Sequence, residues 1–489
     1  MTVKLSSATL AELPLRVQRP AYDRARLRAG ILHFGVGNFH RSHQAVYLDE
    51  LFNSGADHDW AIVGAGVLAA EEAGRQKLAE QDWLTTVVEQ DSGHMSARVT
   101  GAMIDFIRPG DSEAIVARLA DPDIRIVSLT ITEGGYFIDP ASGLFNPSHP
   151  QIVADAANIA ASRTVFGLML AGLMRRRQEG TEPFTVMSCD NIPHNGRVTA
   201  DALVGLAALV DSQLAAWIRD HVAFPNSMVD RITPATTDRE RAILSEQFGV
   251  DDNWPVFCES FRQWVLEDRF PTGRPALEQA GAQFVKDVAP FELMKIRILN
   301  GGHATIAYPA GLMDIHFVHE AMENPLVRGF LAKLEREEIM PTVPPVPGVV
   351  LEEYCQLIEQ RFANPKIGDT VRRLCLDGSN RQPKFVIPTI ADRLKAGKGI
   401  DGLALESALW CRYCHGTTES GVAIEPNDPN WDRLQATARK AKDDPQHWLT
   451  MEDIYGDVGK NAAFALAFGR SLADLWKNGT PATLERYLA

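Results

Sequence analysis

The stretch Gly30-Ile31-Leu32-His33-Phe34-Gly35-Val36-Gly37-Asn38-Phe39-His40-Arg41 decides the fold. Residues 30–34 form an apolar, strand-like run that passes directly into a glycine turn, and a helical pattern follows over residues 41–52. The spacing is G-x-G-x-x-H. The first two glycines permit a tight turn and close approach of a pyrophosphate to the backbone, and the following helix presents free N–H groups and its positive dipole end to the anion. His40 stands where a third glycine normally permits close helix–strand packing. Strand, glycine turn and helix in this order are the context that a dinucleotide-binding βαβ unit requires. Phe34, Gly35, Val36, Gly37, Asn38, Phe39, His40 and Arg41 are therefore candidate cofactor contacts. The spacing by itself also fits an ordinary βα turn.

Working outward, β-rich runs at residues 60–64 (WAIVG), 83–89 (WLTTVVE), 124–132 (IRIVSLTIT) and 184–188 (FTVMS) alternate with helical patterns at residues 69–81, 112–119, 165–177 and 197–223. Such alternation predicts parallel βαβ units in an α/β, Rossmann-like, doubly wound sheet. The continuous apolar runs fit strands buried on both faces. An acidic residue after the second strand would accept from the ribose hydroxyls and repel a 2′-phosphate, so Glu71 points to NAD rather than NADP. A solvated glutamate at a helix start fits the same position. His40 and His43 lie three apart, but no third ligand at suitable spacing accompanies them, so no metal site is expected and one of the two is expected to line the cofactor loop.

From about residue 290 the pattern becomes mainly α-helical, with breaks such as residues 341–348 (PTVPPVPG). The expected division is a Rossmann-like domain at residues 1–285 and a helical substrate and catalytic domain at residues 286–489. The most informative segment is Glu292-Leu293-Met294-Lys295-Ile296-Arg297-Ile298-Leu299-Asn300-Gly301-Gly302-His303. At about 100° per helical residue, with Lys295 at zero, Glu292 falls near 60°, His303 near 80° and Asn300 near 140°. Polar groups on a partly apolar arc point into a site, because burying them unpaired is costly. A buried lysine loses pKa and becomes a proton acceptor near neutrality. Asn300 can donate to a developing alkoxide, and His303 can hold a hydroxyl. Gly301-Gly302 costs helix stability, which implies close approach by something else. A surface lysine followed by an Asn-Gly cap fits the same residues. Asn191, in Ser188-Cys189-Asp190-Asn191, and Glu133, in Thr132-Glu133-Gly134-Gly135, follow sheet strands, where ligands bind in open α/β sheets. Asn191 is expected to meet the Lys295 helix. Loop caps fit both positions equally.

Composition narrows the classes. With 49 Lys+Arg against 63 Asp+Glu the net charge is −14, which disfavours nucleic acid and anionic lipid as partners. Forty-five per cent hydrophobic residues over 489 positions give enough apolar material for more than one core. No run is long enough to span a membrane, and residues 1–15 do not read as a secretory signal, so the expected location is the cytoplasm. Cys411-Arg412-Tyr413-Cys414-His415 matches the C-x-x-C-H haem-attachment pattern, but it lies in an apolar helical pattern and is expected to supply buried thiols.

Taken together, HFGVGNFHRSHQA, SLTITEGGY, FTVMSCDNIPHNG, MVDRITP, WVLEDRF, MKIRILNGGH and PKFVIPTI, spread in order over residues 33 to about 390, resemble the polyol-specific long-chain dehydrogenase/reductase family. The resemblance implies a Rossmann-like domain followed by a helical one, NAD(P) and no catalytic metal. It implies Lys295 as general base, Asn191 and Asn300 as the alkoxide-stabilising pair, and His303 as the substrate-positioning residue. Asp230, Arg373 and Arg381 would contact the remaining hydroxyls, with Arg381 in a stretch where near members tend to carry lysine. Glu133 and Glu292 are candidates for a proton path. The implied reaction is reversible, NAD-dependent oxidation of a secondary alcohol of an acyclic polyol, with mannitol to fructose favoured, by a monomer. Arabinitol, sorbitol or a hexuronate such as fructuronate are alternative substrates, and a cofactor-binding scaffold without turnover is the non-enzymatic alternative.

Overall fold

The computed structural model describes residues 2–139 and 143–489. It divides into two compact units, Met1–Val288 and Ala289–Ala489. Among the described residues no helix is long and apolar enough to cross a membrane.

The first unit is built on a five-stranded, wholly parallel sheet of β1 (Ala29–Phe34), β2 (Ala61–Ala65), β3 (Met103–Phe106), β4 (Ile126–Leu129) and β5 (Thr185–Ser188). The strand order is β3-β2-β1-β4-β5. This is the Rossmann order, and its switch point lies between β1 and β4, where a ligand is expected at the carboxyl ends of the strands. Successive residues of each strand face opposite sides. Leu32, Val63, Val127 and Val186 pack into one core with Phe166 and Leu203, whereas Ile31, Ile62, Ile126 and Met187 pack into another with Leu48 and Trp264. The helices labelled here are α1 (Asn38–Ser42), α2 (Gln44–Asn53), α3 (Glu71–Ala79), α4 (Ser112–Ala120), α5 (Val165–Glu179), α6 (Asn195–Val210) and α7 (Ser212–His221).

Three local expectations change. The run at residues 83–89 is not part of this sheet. Its strand, Thr85–Gln90, lies in a separate four-stranded sheet, parallel to Val256–Glu259 and antiparallel to Met95–Thr100. The connection from Gln90 to Met95 is a short turn closed by Asp91 N to His94 O at 3.0 Å, too short for a parallel crossover. The third place in the Rossmann sheet is taken by β3. The helix expected over residues 41–52 is broken at His43 (φ −116°, ψ −88°), and the one over residues 197–223 at Asp211, whose extended backbone and side chain cap α7.

The second unit is helical. Its site-bearing elements are α8 (Ala289–Met294), a π-helical turn (Lys295–Asn300) and α9 (Gly301–Leu312), followed by α10 (Pro325–Leu334) and a second π-helical turn (Glu335–Ile339). Then come α11 (Leu351–Phe362), α12 (Val371–Leu374), α13 (Gly378–Phe385), α14 (Asp401–Cys414) and α15 (Ala462–Leu488), the last bent at Gly479. From Gly402 to Cys414 every residue of α14 is buried, and α15 packs along it. A helix without a polar face belongs inside a bundle. Cys411 and Cys414 are buried free thiols on it.

Candidate active site

In the first unit the glycine loop leaves β1 at the switch point. Gly35 has φ +93°, and a Cβ there would lie 2.0 Å from the Thr130 carbonyl oxygen, so only glycine fits. The turn is closed by Gly37 N donating to Gly35 O at 2.7 Å, and the Thr130 hydroxyl donates to the same carbonyl at 2.7 Å. At Gly37 a Cβ would meet nothing nearer than Gly35 O at 3.9 Å. The space over Gly37 is therefore kept open by the absence of a side chain. An open backbone face on a tight turn at the switch point fits a dinucleotide pyrophosphate.

His40 fills the third-glycine position by stacking. Its ring lies 3.5 Å from that of His33 on β1, with 15° between the planes. Gln44 Oε1 joins the His40 Nδ1 at 3.1 Å and Ser128 Oγ at 3.1 Å, and Ser128 Oγ is 2.8 Å from His33 Nδ1. Two flat, nearly parallel rings keep helix and strand close where glycine usually does. Burial pulls His33 down to about 3 and His40 well below its ordinary value, so both are neutral. Phe34, Val36, His40 and Arg41 are buried, whereas Gly37, Asn38 and Phe39 are partly exposed. Arg41 stacks on Trp254 at 3.8 Å and donates to the Trp254 carbonyl and to Asn38 Oδ1. His43 is turned elsewhere, with Nε2 3.0 Å from Gln263 O. Among the described residues no group of three or more His, Cys, Asp or Glu could hold a metal ion.

Glu71 opens α3. Its Oε2 accepts from Val67 N at 2.9 Å and Leu68 N at 2.7 Å, so one carboxylate oxygen is committed to the loop after β2. Burial raises its pKa against those two bonds.

The loops after β4 and β5 are joined by Asp190, which the sequence reading did not single out. Its carboxylate accepts from Ile131 N and Thr132 N, both at 2.9 Å, and from the Tyr136 hydroxyl at 2.7 Å. These bonds hold Thr132 at φ +64°, a strained conformation for a β-branched residue, immediately before Glu133. Burial raises the Asp190 pKa despite the three donors. Glu133 is exposed on the short turn Glu133–Tyr136, and Asn191 is exposed one residue beyond Asp190. Asn195 donates to Asp190 O at 3.0 Å and to Ser227 O at 2.8 Å, which ties the Asn191 loop to the strand Ser227–Asp230. Asp230 is the buried last residue of that strand. The adjacent Arg231 donates to Glu89 Oε1 and Ser42 O, both at 2.6 Å, linking the strand end to α1.

In the second unit Lys295 begins the π-helical turn. Its i→i+5 pattern is visible in Gly301 N donating to Ile296 O. A π turn inserts one residue into the helical repeat and sets later residues back by about 100°. By its end His303 moves from about +80° to about −20° relative to Lys295, and Asn300 moves toward Lys295. Glu292, Lys295, Asn300 and His303 thus share a narrower arc than an uninterrupted helix would give. Glu292 and Lys295 are buried, and Asn300 and His303 are partly exposed. The His303 ring stacks on Phe362 at 4.2 Å. Burial, then Arg373, Arg361 and Arg381, push its pKa well below the ordinary value, so it is a neutral imidazole.

Those same cations place Arg373 and Arg381 near His303. Arg373 pairs with Asp369 through both Nε and Nη2, and Arg381 Nη1 donates to Leu374 O at 2.9 Å. Next to Arg381, buried Gln382 donates to Glu406 Oε1 on α14 at 2.6 Å. Burial pushes Glu406 up to about 8. A carboxyl whose pKa is raised on folding contributes most to stability below its unfolded value, near 4.5, and that contribution is lost as pH rises through about 8. The Glu406→Gln variant is expected to match the wild type in acid and to exceed it by on the order of 4 kcal/mol at alkaline pH. Denaturant unfolding across this range checks it, and a stability difference that does not change with pH contradicts it.

The comparisons agree with this architecture. A profile described as "Mannitol dehydrogenase Rossmann domain" matches residues 29–279, and "Mannitol dehydrogenase C-terminal domain" matches residues 287–476. The chain is 58% identical to a mannitol 2-dehydrogenase of Cereibacter sphaeroides, over 97% of this chain and 99% of that one. It is 41% identical to one of Neosartorya fischeri, covering 99% of each. The solved Pseudomonas fluorescens mannitol 2-dehydrogenase, in ternary complex with NAD and D-mannitol, superposes with a TM-score of 0.89 at 43% identity, covering 99% of each chain. A D-sorbitol dehydrogenase in substrate-free form gives 0.91 at 35%, covering 98% of this chain and 100% of that one. On a Rossmann sheet with an open glycine turn, followed by a helical unit that carries the Lys–Asn–His arc, this agreement over nearly the full length places the chain in the mannitol dehydrogenase family.

Proposed function

We propose that the chain is an NAD-dependent polyol dehydrogenase that oxidises a secondary alcohol of an acyclic polyol to a ketose without a catalytic metal, with D-mannitol to D-fructose as the favoured pair. The observation that supports this reading is the π-helical turn over Lys295–Asn300 in a chain of this family, which by helical arithmetic sets Lys295, Asn300 and His303 on one arc. The turn at Gly35–Gly37 would hold the cofactor's pyrophosphate by its backbone, and the remaining oxygen of Glu71 would accept from the ribose. NAD, when bound, takes up the hydride. Lys295 Nζ takes the proton of the reacting hydroxyl. The side-chain amides of Asn300 and Asn191 donate to the oxygen as negative charge develops on it. His303, held neutral by burial and by the cations around it, can both accept from and donate to substrate hydroxyls without adding charge. Asp230, Arg373 and Arg381 contact the hydroxyls farther along the chain, and Glu292 and Glu133 pass the proton onward.

The ion pair of Arg373 with Asp369 favours a neutral polyol over a hexuronate, whose carboxylate needs an uncommitted cation. Initial rates for mannitol, arabinitol and sorbitol with NAD, and for fructuronate with NADH, are expected to rank mannitol first. The same rates with NADP in place of NAD are expected to fall, since Glu71 repels a 2′-phosphate. A higher kcat/KM for fructuronate than for fructose contradicts the substrate assignment.

A further inference from the structure

Glu335 opens the second π-helical turn and is completely buried. Among the described residues no N–H or O–H donor reaches either of its carboxyl oxygens. A carboxylate left in that state is costly. Burial and the neighbouring Glu359 push its pKa well above the ordinary range, with Glu352 adding to the push, while Arg336 and the weak donor Cys355 pull the other way. The group is therefore a neutral carboxylic acid. Its location is specific. A Cβ at Gly302 would lie 2.8 Å from Glu335 Oε1 and 3.3 Å from Phe362 Cε2. Phe362 is the ring on which His303 stacks. At Gly301 a Cβ would make only ordinary contacts, the nearest at 3.6 Å. The close approach implied by the Gly301-Gly302 pair is thus the approach of Glu335 to Gly302, one residue before His303.

We propose that Glu335 is a positioning residue for the polyol site: its buried carboxyl, seated on Gly302 beside Phe362, sets where the His303 imidazole stands. The inference rests on His303 holding the substrate. Two π turns contribute to it, one presenting Lys295 and Asn300 and the other presenting Glu335. Ionised, the same group would place against Gly302 a buried negative charge that no N–H or O–H donor among the described residues reaches, so the protonated form is the working one.

A double-mutant cycle on the full-length enzyme tests this. Glu335→Ala leaves a hole under Gly302, and Gly302→Ala drives a methyl group into the carboxyl. Each is expected to raise the polyol KM about 10-fold, with kcat changing much less. In the double variant the methyl group enters the vacated space, and KM is expected to return to within about threefold of wild type. Glu335→Gln, which has the same shape and cannot ionise, is expected to keep the wild-type KM. A purely structural role would move the unfolding temperature without this split between KM and kcat or this rescue. Infrared difference spectra between wild type and Glu335→Gln are expected to show the carbonyl band of a protonated carboxyl lost in the variant, and a carboxylate band there overturns the proposal even if the alanine variants fail to fold. His303→Ala separates the two levels. An unchanged KM in that variant takes down the reading of His303, whereas a raised KM there with additive effects at 335 and 302 takes down only the placement by Glu335.

Discussion

Lys295→Ala is expected to lose about 10²–10⁴-fold in kcat for polyol oxidation, the range that a positioned general base contributes. NAD affinity should stay near wild type, because the candidate cofactor contacts all lie in the first unit, around Gly35–Arg41 and Glu71. Lys295 is buried on a helix whose neighbours Met294 and Ile298 are core residues, so the backbone path does not depend on the ammonium group. The ground-state fold should survive, and circular dichroism and thermal unfolding check that the loss is chemical. The decisive comparison is the variant's pH–rate profile. If Lys295 Nζ accepts the proton, the residual rate should lose the wild-type dependence on that base. A variant that turns over within about threefold of wild type at saturating polyol removes Lys295 from the chemistry.

Gly35→Ala is expected to have the largest effect on the first unit. The substitution combines a left-handed backbone, costing about 1–2 kcal/mol for a residue with a Cβ, with overpacking against a carbonyl that adds about 1–3 kcal/mol. The Thr130 carbonyl cannot retreat freely, since the same residue is tied into the β1–β4 pairing by Thr130 N donating to Phe34 O at 2.9 Å. Gly37→Ala is the contrasting case. Its backbone is extended (φ −104°, ψ −171°) and a methyl group there touches nothing, so stability should hold. NAD binding should weaken, because the methyl group occupies the face that a pyrophosphate approaches. Thermal unfolding and NAD titration of the two variants separate these effects. A Gly37→Ala enzyme that binds NAD as tightly as wild type contradicts the loop assignment.

The parallel sheet was legible because β1, β2, β4 and β5 are predominantly apolar, fully or nearly fully buried runs, and buried parallel strands leave that mark. The strand Met103–Phe106 was not legible. It is four residues long and carries Asp105 at a partly exposed position, so its apolar signal is too short to stand out. The run at residues 83–89 has the right composition for the Rossmann sheet, and only the turn at residues 91–94 shows that it pairs antiparallel with its neighbour instead. In the candidate site, the Lys–Asn–His grouping is a reading of residue types and spacing. The π turn that tightens it was not legible, because no side-chain pattern distinguishes an i→i+5 bond from an i→i+4 bond over one turn. Asp190 sat inside a polar cluster that was read for Asn191. Its three donors come from Ile131, Thr132 and Tyr136, more than fifty residues away in sequence, and a tertiary partnership of that kind leaves no local signal. The histidine in place of the third glycine looked like a departure until His33 supplied the ring that it stacks on.

A protein base rather than a metal is expected to couple polyol oxidation to NAD in this chain. The most direct measurement is the initial rate of NADH formation from NAD and D-mannitol by the purified enzyme, with and without a strong chelator. NADH is expected to form at the same rate in both, with one ketose formed per NADH. No NADH from mannitol or any related polyol, or activity abolished by the chelator and restored by a divalent cation, would contradict it.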